Sequence, residues 1–162
     1  MRAKSACQAF TLIEMLVVLA IIAILAMIAM PNTQDRFIRA QIVEAVPLAD
    51  IAKTPIAAAW LSTHTLPADN PSIGLPAPQK VVNQFISAVE VEQGAVHITF
   101  GNRANGLING KVLTLRPAVV ADAPVVPVTW VCGGASAPAP MTINGTNKTT
   151  VPDRFLPLNC RP

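Results

Sequence analysis

From Met15 to Met30 the chain carries no charge and no strong polar group. With Phe10 to Glu14 added, the stretch reaches the ~20 residues that an α-helix needs to cross a bilayer. Arg2 and Lys4 precede it, so the positive-inside bias keeps the N-terminus in the cytoplasm and sends the remainder across. Three kinds of segment share this pattern. A secretory signal ends at a small-residue cleavage site, and the "PNTQD" after Met30 matches one poorly, although Ala26 and Ala29 leave it open. A lipoprotein signal carries its cysteine after the apolar run, whereas Cys7 precedes it. A plain anchor fits the length but leaves Glu14 unexplained. A lone carboxylate in hydrocarbon costs several kcal/mol or is driven neutral.

The remaining composition suits one exported domain. The chain has 162 residues, enough for a single core, with a hydrophobic fraction of 52% and only 13% charged residues. Arg2 and Lys4 supply two of the three net positive charges, and so small an excess argues against nucleic acid as the main partner. Cys7, Cys132 and Cys160 make an odd count, which in an exported chain needs a reason.

Beyond Pro31, which closes the apolar run, the segment from Asn32 to His64 reads as an amphipathic continuation. Phe37, Ile38, Ile42, Val43 and Val46 recur at spacings that fit one helical face, with Asp35, Arg36, Arg39 and Glu44 on the other. Pro47 and Pro55 either kink this helix or end it. "TLPADNPSIGLPAPQ" is a loop, with room for one short turn. The period then changes to two. "FISAVEVEQGAVHITF" carries Val89, Val91, Val96, Ile98 and Phe100 near alternation, with "EQG" between the runs, which predicts a hairpin. "GKVLTLRP" predicts a third strand that stops at its proline, and "VPVTWVC" a fourth. "GGASAPAPMTINGTNKTT" reads as an irregular loop. A long helix followed by consecutive antiparallel strands is an α+β arrangement, with the helix laid on one face of a sheet.

Against this background "QAFTLIEMLVVLAIIAILAMIAMP" closely resembles the N-terminus of type IV pilins and related pseudopilins. "NGKVLTLRP", "VTWVC" and "PDRFLPLNC" resemble the late strands and C-terminal region of type IVa pilins. The resemblance covers most of the chain; the N-terminal motif is its specific part. It implies a short basic leader, residues 1–9, removed on the cytoplasmic side by a membrane-embedded prepilin peptidase between Ala9 and Phe10, and methylation of the new amino terminus at Phe10. Thr11, Leu12, Ile13 and Glu14 complete the motif, with Ala9 standing where the family usually has glycine. It further implies a hydrophobic membrane and filament-core helix over 10–31 and a globular domain over 32–162 outside the inner membrane. That domain would be a pilin fold, its long helix packed on a four-stranded antiparallel sheet with a disulfide-closed C-terminal region.

The cut explains two oddities. It creates an ammonium at Phe10 that offsets the cost of the Glu14 carboxylate, and pairing between subunits would favour one axial register, since a misplaced subunit leaves a charge unpaired. It also removes Cys7, leaving Cys132 and Cys160 to pair in an oxidising compartment. Closing that loop is worth about 3–4 kcal/mol in the chain-entropy account.

The resemblance implies a homo-oligomeric helical filament, built by an inner-membrane assembly platform with ATPases elsewhere supplying the work, and serving adhesion, motility or DNA uptake. A minor or DNA-binding competence pilin is the alternative within the family, and a simply anchored periplasmic binding domain the alternative outside it. No catalytic pattern is visible. His64 and His97 belong to no triad, and His97 reads as a surface or edge residue of a strand. Asp69, Asp122 and Asp153 are too scattered for a calcium loop, "GLINGK" lacks phosphate-loop spacing, and no metal or cofactor set is legible. Asn144 and Asn147 fit a glycosylation pattern that recurs by chance. Lys111, Arg116, Lys148, Arg154 and Arg161 are a candidate basic patch near the tail, the one feature that would favour DNA.

Overall fold

The computed structural model describes residues 10–162, without the side chains of residues 30–33. The expectations for Cys7 and Ala9 therefore lie outside the described residues. The chain divides into two units, one ending at Asp35 and one running from Arg36 to Pro162.

The first unit is helical from Leu12, in α1 (Leu12–Ala45), which runs on through Pro31. Its apolar side chains are exposed on every side, from Leu12 at 79% to Ile28 at 68%. A helix that is apolar all round has no face suited to water. Its most apolar 18-residue window has a mean hydropathy of 3.0, long and apolar enough to cross a membrane.

In the second unit the helical path continues past α1 through a 3-10 turn (Val46–Ala49) into α2 (Asp50–Thr63). Pro47 neither ends nor breaks the path. It opens the 3-10 turn, where the Asp50 N–H donates to the Pro47 carbonyl. Pro55 lies inside α2. Ile38, Ile42, Ala45, Ala49, Ala52 and Ile56 are wholly buried, at intervals alternating between four and three residues. That narrow seam, with alanines at its centre, lets the helix lie close on a sheet. Phe37 and Val43, expected on the same apolar face, are instead 69% and 55% exposed. A 3.5-residue seam has no room for both neighbours of Ile38 and Ile42.

The sheet is antiparallel in the order β1 (Ile86–Glu92), β2 (Ala95–Phe100), β3 (Val112–Val119), β4 (Thr129–Cys132). A short β5 (Thr142–Ile143) pairs with the end of β3, so the sheet has five strands where four were expected. The β1–β2 turn is Gln93-Gly94, with φ of 49° and 80°, the left-handed pair a two-residue hairpin requires. A side chain at Gly94 would also strike Leu66. Val89, Val91, Val96, Ile98, Leu113 and Leu115 face the helix seam and form the core.

β3 does not stop at Pro117. It continues to Val119, with Pro117 opposite Trp130 of β4. The Asn144 N–H donates to the Pro117 carbonyl, at 2.9 Å, on the side away from β4. Backbone N and O of one strand residue point the same way, so the donor that proline lacks would face the gap between the start of β2 and the end of β5. No ladder bond is lost there.

Candidate functional site

Phe10 is 74% exposed and opens the described chain. Thr11 caps α1: the Glu14 N–H donates to Thr11 Oγ1 at 3.4 Å and to the Thr11 carbonyl at 3.2 Å. Thr-x-x-Glu before an apolar run is the sequence signature of a capping box, a local signal for the helix start that hydropathy alone does not carry. It places Glu14 in the first turn of the helix, where the aligned peptide dipoles favour a negative charge. Through Ala29 it is the only ionisable side chain of the helix, on an otherwise exposed apolar surface. The site is thus a polar head on a greasy rod, with a carboxylate one turn from Phe10.

The tail site is closed by a disulfide between Cys132 and Cys160, whose Cα atoms are 4.5 Å apart. Gly133 follows at φ 57°, and a side chain there would strike the Cys160 carbonyl. The Gly134 N–H donates to that carbonyl at 3.1 Å, and the Gly133 N–H to the Thr114 carbonyl at 2.9 Å. The tail is therefore hydrogen-bonded at Gly134, just past β4, as well as covalently tied, and Gly133 fixes that turn to β3.

His97 departs from expectation. It is 2% exposed, because the 133–151 segment crosses the sheet face opposite the helix. Its Nδ1 is 2.9 Å from Thr114 Oγ1 and its Nε2 is 3.2 Å from Glu92 Oε2. Lys148 pairs with the same Glu92 carboxylate, and the Lys148 backbone N–H donates to Thr114 Oγ1 at 3.0 Å. Burial, then the Lys148 charge, push the imidazole below its ordinary value, so it stays neutral. The hydrogen bond from Lys148 lowers Glu92. Beyond the end of β4, the Thr149 and Thr150 hydroxyls accept from the Thr114 and Val112 N–H groups, at 3.1 and 2.8 Å. Side-chain oxygens there replace a strand, which no periodicity in "NKTT" announces.

The other candidates stay apart. His64 is exposed and ends α2 at φ 55°. Asp69 accepts from Ser72, and no group of three metal-ligating side chains gathers among the described residues. Asn144 donates to the Thr142 carbonyl and Asn147 accepts from the Thr149 N–H. The residues of the candidate basic patch are engaged at separate places. Arg116 donates to the Gly133 carbonyl and Lys148 is paired with Glu92, while Arg154 and Arg161 meet each other and Arg39.

Comparison with known proteins bears on these features directly. Residues 38–161 match the family model for pilin, a bacterial filament protein, and residues 4–30 match the prokaryotic N-terminal methylation motif. The type IV major pilin protein PilE of Neisseria gonorrhoeae is 33% identical over 95% of this chain and 93% of its own length. A fimbrial protein of Neisseria meningitidis serogroup A is 35% identical, over 78% of this chain and 72% of its own. The fimbrial protein EcpC of Eikenella corrodens is 33% identical, over 70% and 76%. The chain belongs to the pilin family. Within it, the N-terminal motif and the disulfide-closed tail make it a type IV pilin, a structural subunit of a pilus.

Proposed function

We propose that the subunit is made as a precursor, cut between Ala9 and Phe10 by a prepilin peptidase, and methylated at Phe10. Residues 1–9 are then the leader, 10–31 the membrane and filament-core helix, and 32–162 the domain outside the inner membrane. The subunit waits in the inner membrane and is drawn by the assembly platform into a surface filament of identical copies. It performs no catalysis of its own. The observation that carries this reading is Glu14, a single carboxylate in the first turn of a helix whose surface through Ala29 is otherwise apolar and exposed. Helix packing supplies affinity but little register, because apolar surfaces slide. A carboxylate that must find the Phe10 ammonium of a neighbour picks one axial position.

Glu14→Leu tests it. The variant inserts in the membrane, since it loses a polar group from an apolar helix. Mature subunit beginning at a methylated Phe10 accumulates, as mass spectrometry of the N-terminus should find. Sheared surface filaments fall sharply, and Glu14→Gln restores them only in part, because an amide cannot neutralise the ammonium. Wild-type filament yield from Glu14→Leu would overturn the pairing account. A mature terminus elsewhere than Phe10 would overturn the cleavage assignment.

A further inference from the structure

Arg39 of α1 and Arg161 of the tail both donate through Nη2 to one acceptor, the Arg154 carbonyl, at 2.7 and 3.3 Å. Arg161 also donates from Nε to the Leu156 carbonyl at 3.1 Å. The Arg154 guanidinium lies 4.5 Å from the centre of the Phe155 ring. Two guanidinium groups are thus held within about 6 Å of each other, a separation at which like charges repel. Arg36, one turn before Arg39, shares with it a shallow surface groove along α1. Glu44 lines it too, yet among the described residues no carboxylate stands within ion-pair distance of any of these four arginines. Arg39 Nε is buried and has no acceptor. The cluster therefore lacks a counter-charge, and guanidinium forks match phosphate oxygens in shape as well as charge.

The sequence fixes where this cluster works. Arg36 follows Met30 so closely that the intervening stretch spans about 9 Å as α-helix and about 20 Å fully extended. The stretch is helical, so with residues 10–31 in the bilayer Arg36 stays near the headgroup layer. We infer that Arg39, Arg154 and Arg161, joined by Arg36, form a site for a phosphate group, supplied by a phospholipid headgroup while the subunit resides in the membrane. The inference rests on the membrane reading proposed above. A nucleic acid is the weaker occupant, because a duplex needs a row of free charges, and Arg116 and Lys148 are bonded elsewhere.

The test is a titration of the full chain in neutral dodecyl maltoside micelles, followed through the arginine side-chain Nε–H resonances. The probes are dihexanoyl-phosphatidylglycerol, inorganic phosphate and a short DNA duplex, added separately. The phosphatidylglycerol is expected to shift Arg39 and Arg161 saturably, and more tightly than the other two probes. Arg36→Gln with Arg154→Gln removes two charges but keeps the Arg154 carbonyl and each hydrogen bond described here. It should weaken binding about ten-fold. No saturable shift, binding unaffected by the double variant, or tighter binding of free phosphate or of the duplex would each overturn the headgroup site. The titration needs neither cleavage nor filament growth. Normal filaments without headgroup binding sink this site alone; headgroup binding by a chain that makes no filaments sinks only the assembly reading.

Discussion

Asn70 shows how much one side chain does where sequence sees only a loop. It is 2% exposed, donating to the Pro76 and Val89 carbonyls at 3.0 and 2.9 Å and accepting from the Val91 N–H at 2.6 Å. β1 is the edge of the sheet, and Asn70 satisfies edge groups that burial would otherwise leave unpaired. Asn70→Ala strands two buried backbone groups and should cost about 2–4 kcal/mol in a urea melt. His97 sets a pH dependence at the same scale. It faces Thr114, Glu92 and Lys148, with Glu90 further off. Its folded value lies below the ordinary 6.5, so the unfolded chain takes up a proton first. The stabilisation is full above 6.5 and is lost as pH falls through the lowered folded value. Glu92, lowered from 4.5 by Lys148, adds a second loss further into acid. Denaturation midpoints at about pH 7.5 and about 5.5 should differ for the wild type, and His97→Gln should flatten that difference. Equal slopes in both would refute the role given to His97.

At the scale of elements, the disulfide is one of several ties on the tail. With Cys132 and Cys160 joined, the Gly134 N–H on the Cys160 carbonyl and the packing of Phe155 and Leu156 hold the same segment. Cys160→Ser should lower stability by about 2–5 kcal/mol and raise amide exchange from Cys132 onward, while β1 and β2 stay protected. Rapid exchange throughout the sheet would mean that the tail nucleates the fold. β3 is the element least legible in advance. Its proline reads as a stop because the partner on each side is unknown from sequence; the structure gives β3 different neighbours along its two halves, and Pro117 falls where no donor is required. β5 is too short to carry an alternation.

For the whole molecule, the two units answer to different solvents. The core residues from Ile38 to Cys160 all lie in the second unit, and the exposed apolar side chains from Phe10 to Ile28 all lie in the first. A chain spanning Arg36 to Pro162 should therefore dissolve without detergent and unfold in one cooperative step, with the full chain needing detergent or lipid. Aggregation of the fragment in the oxidised state, or a non-cooperative melt, would show that the first unit completes the fold.

The sequence by itself determined the apolar helix, Glu14, the hairpin over Glu92–Ala95, the α+β order and the pilin resemblance. Each is a local or periodic signal, written in consecutive residues, and the cysteine pair followed from the expectation that Cys7 belongs to a leader. Only tertiary structure decided that His97 is buried, that Asn70 covers the sheet edge, that Phe37 and Val43 face outward, and that Arg39 joins Arg154 and Arg161. Those facts depend on which distant segments meet. A side chain's burial and hydrogen-bond partners are set by neighbours far along the chain, here 17 residues away for His97 and Thr114 and 115 for Arg39 and Arg154, and no periodicity records them.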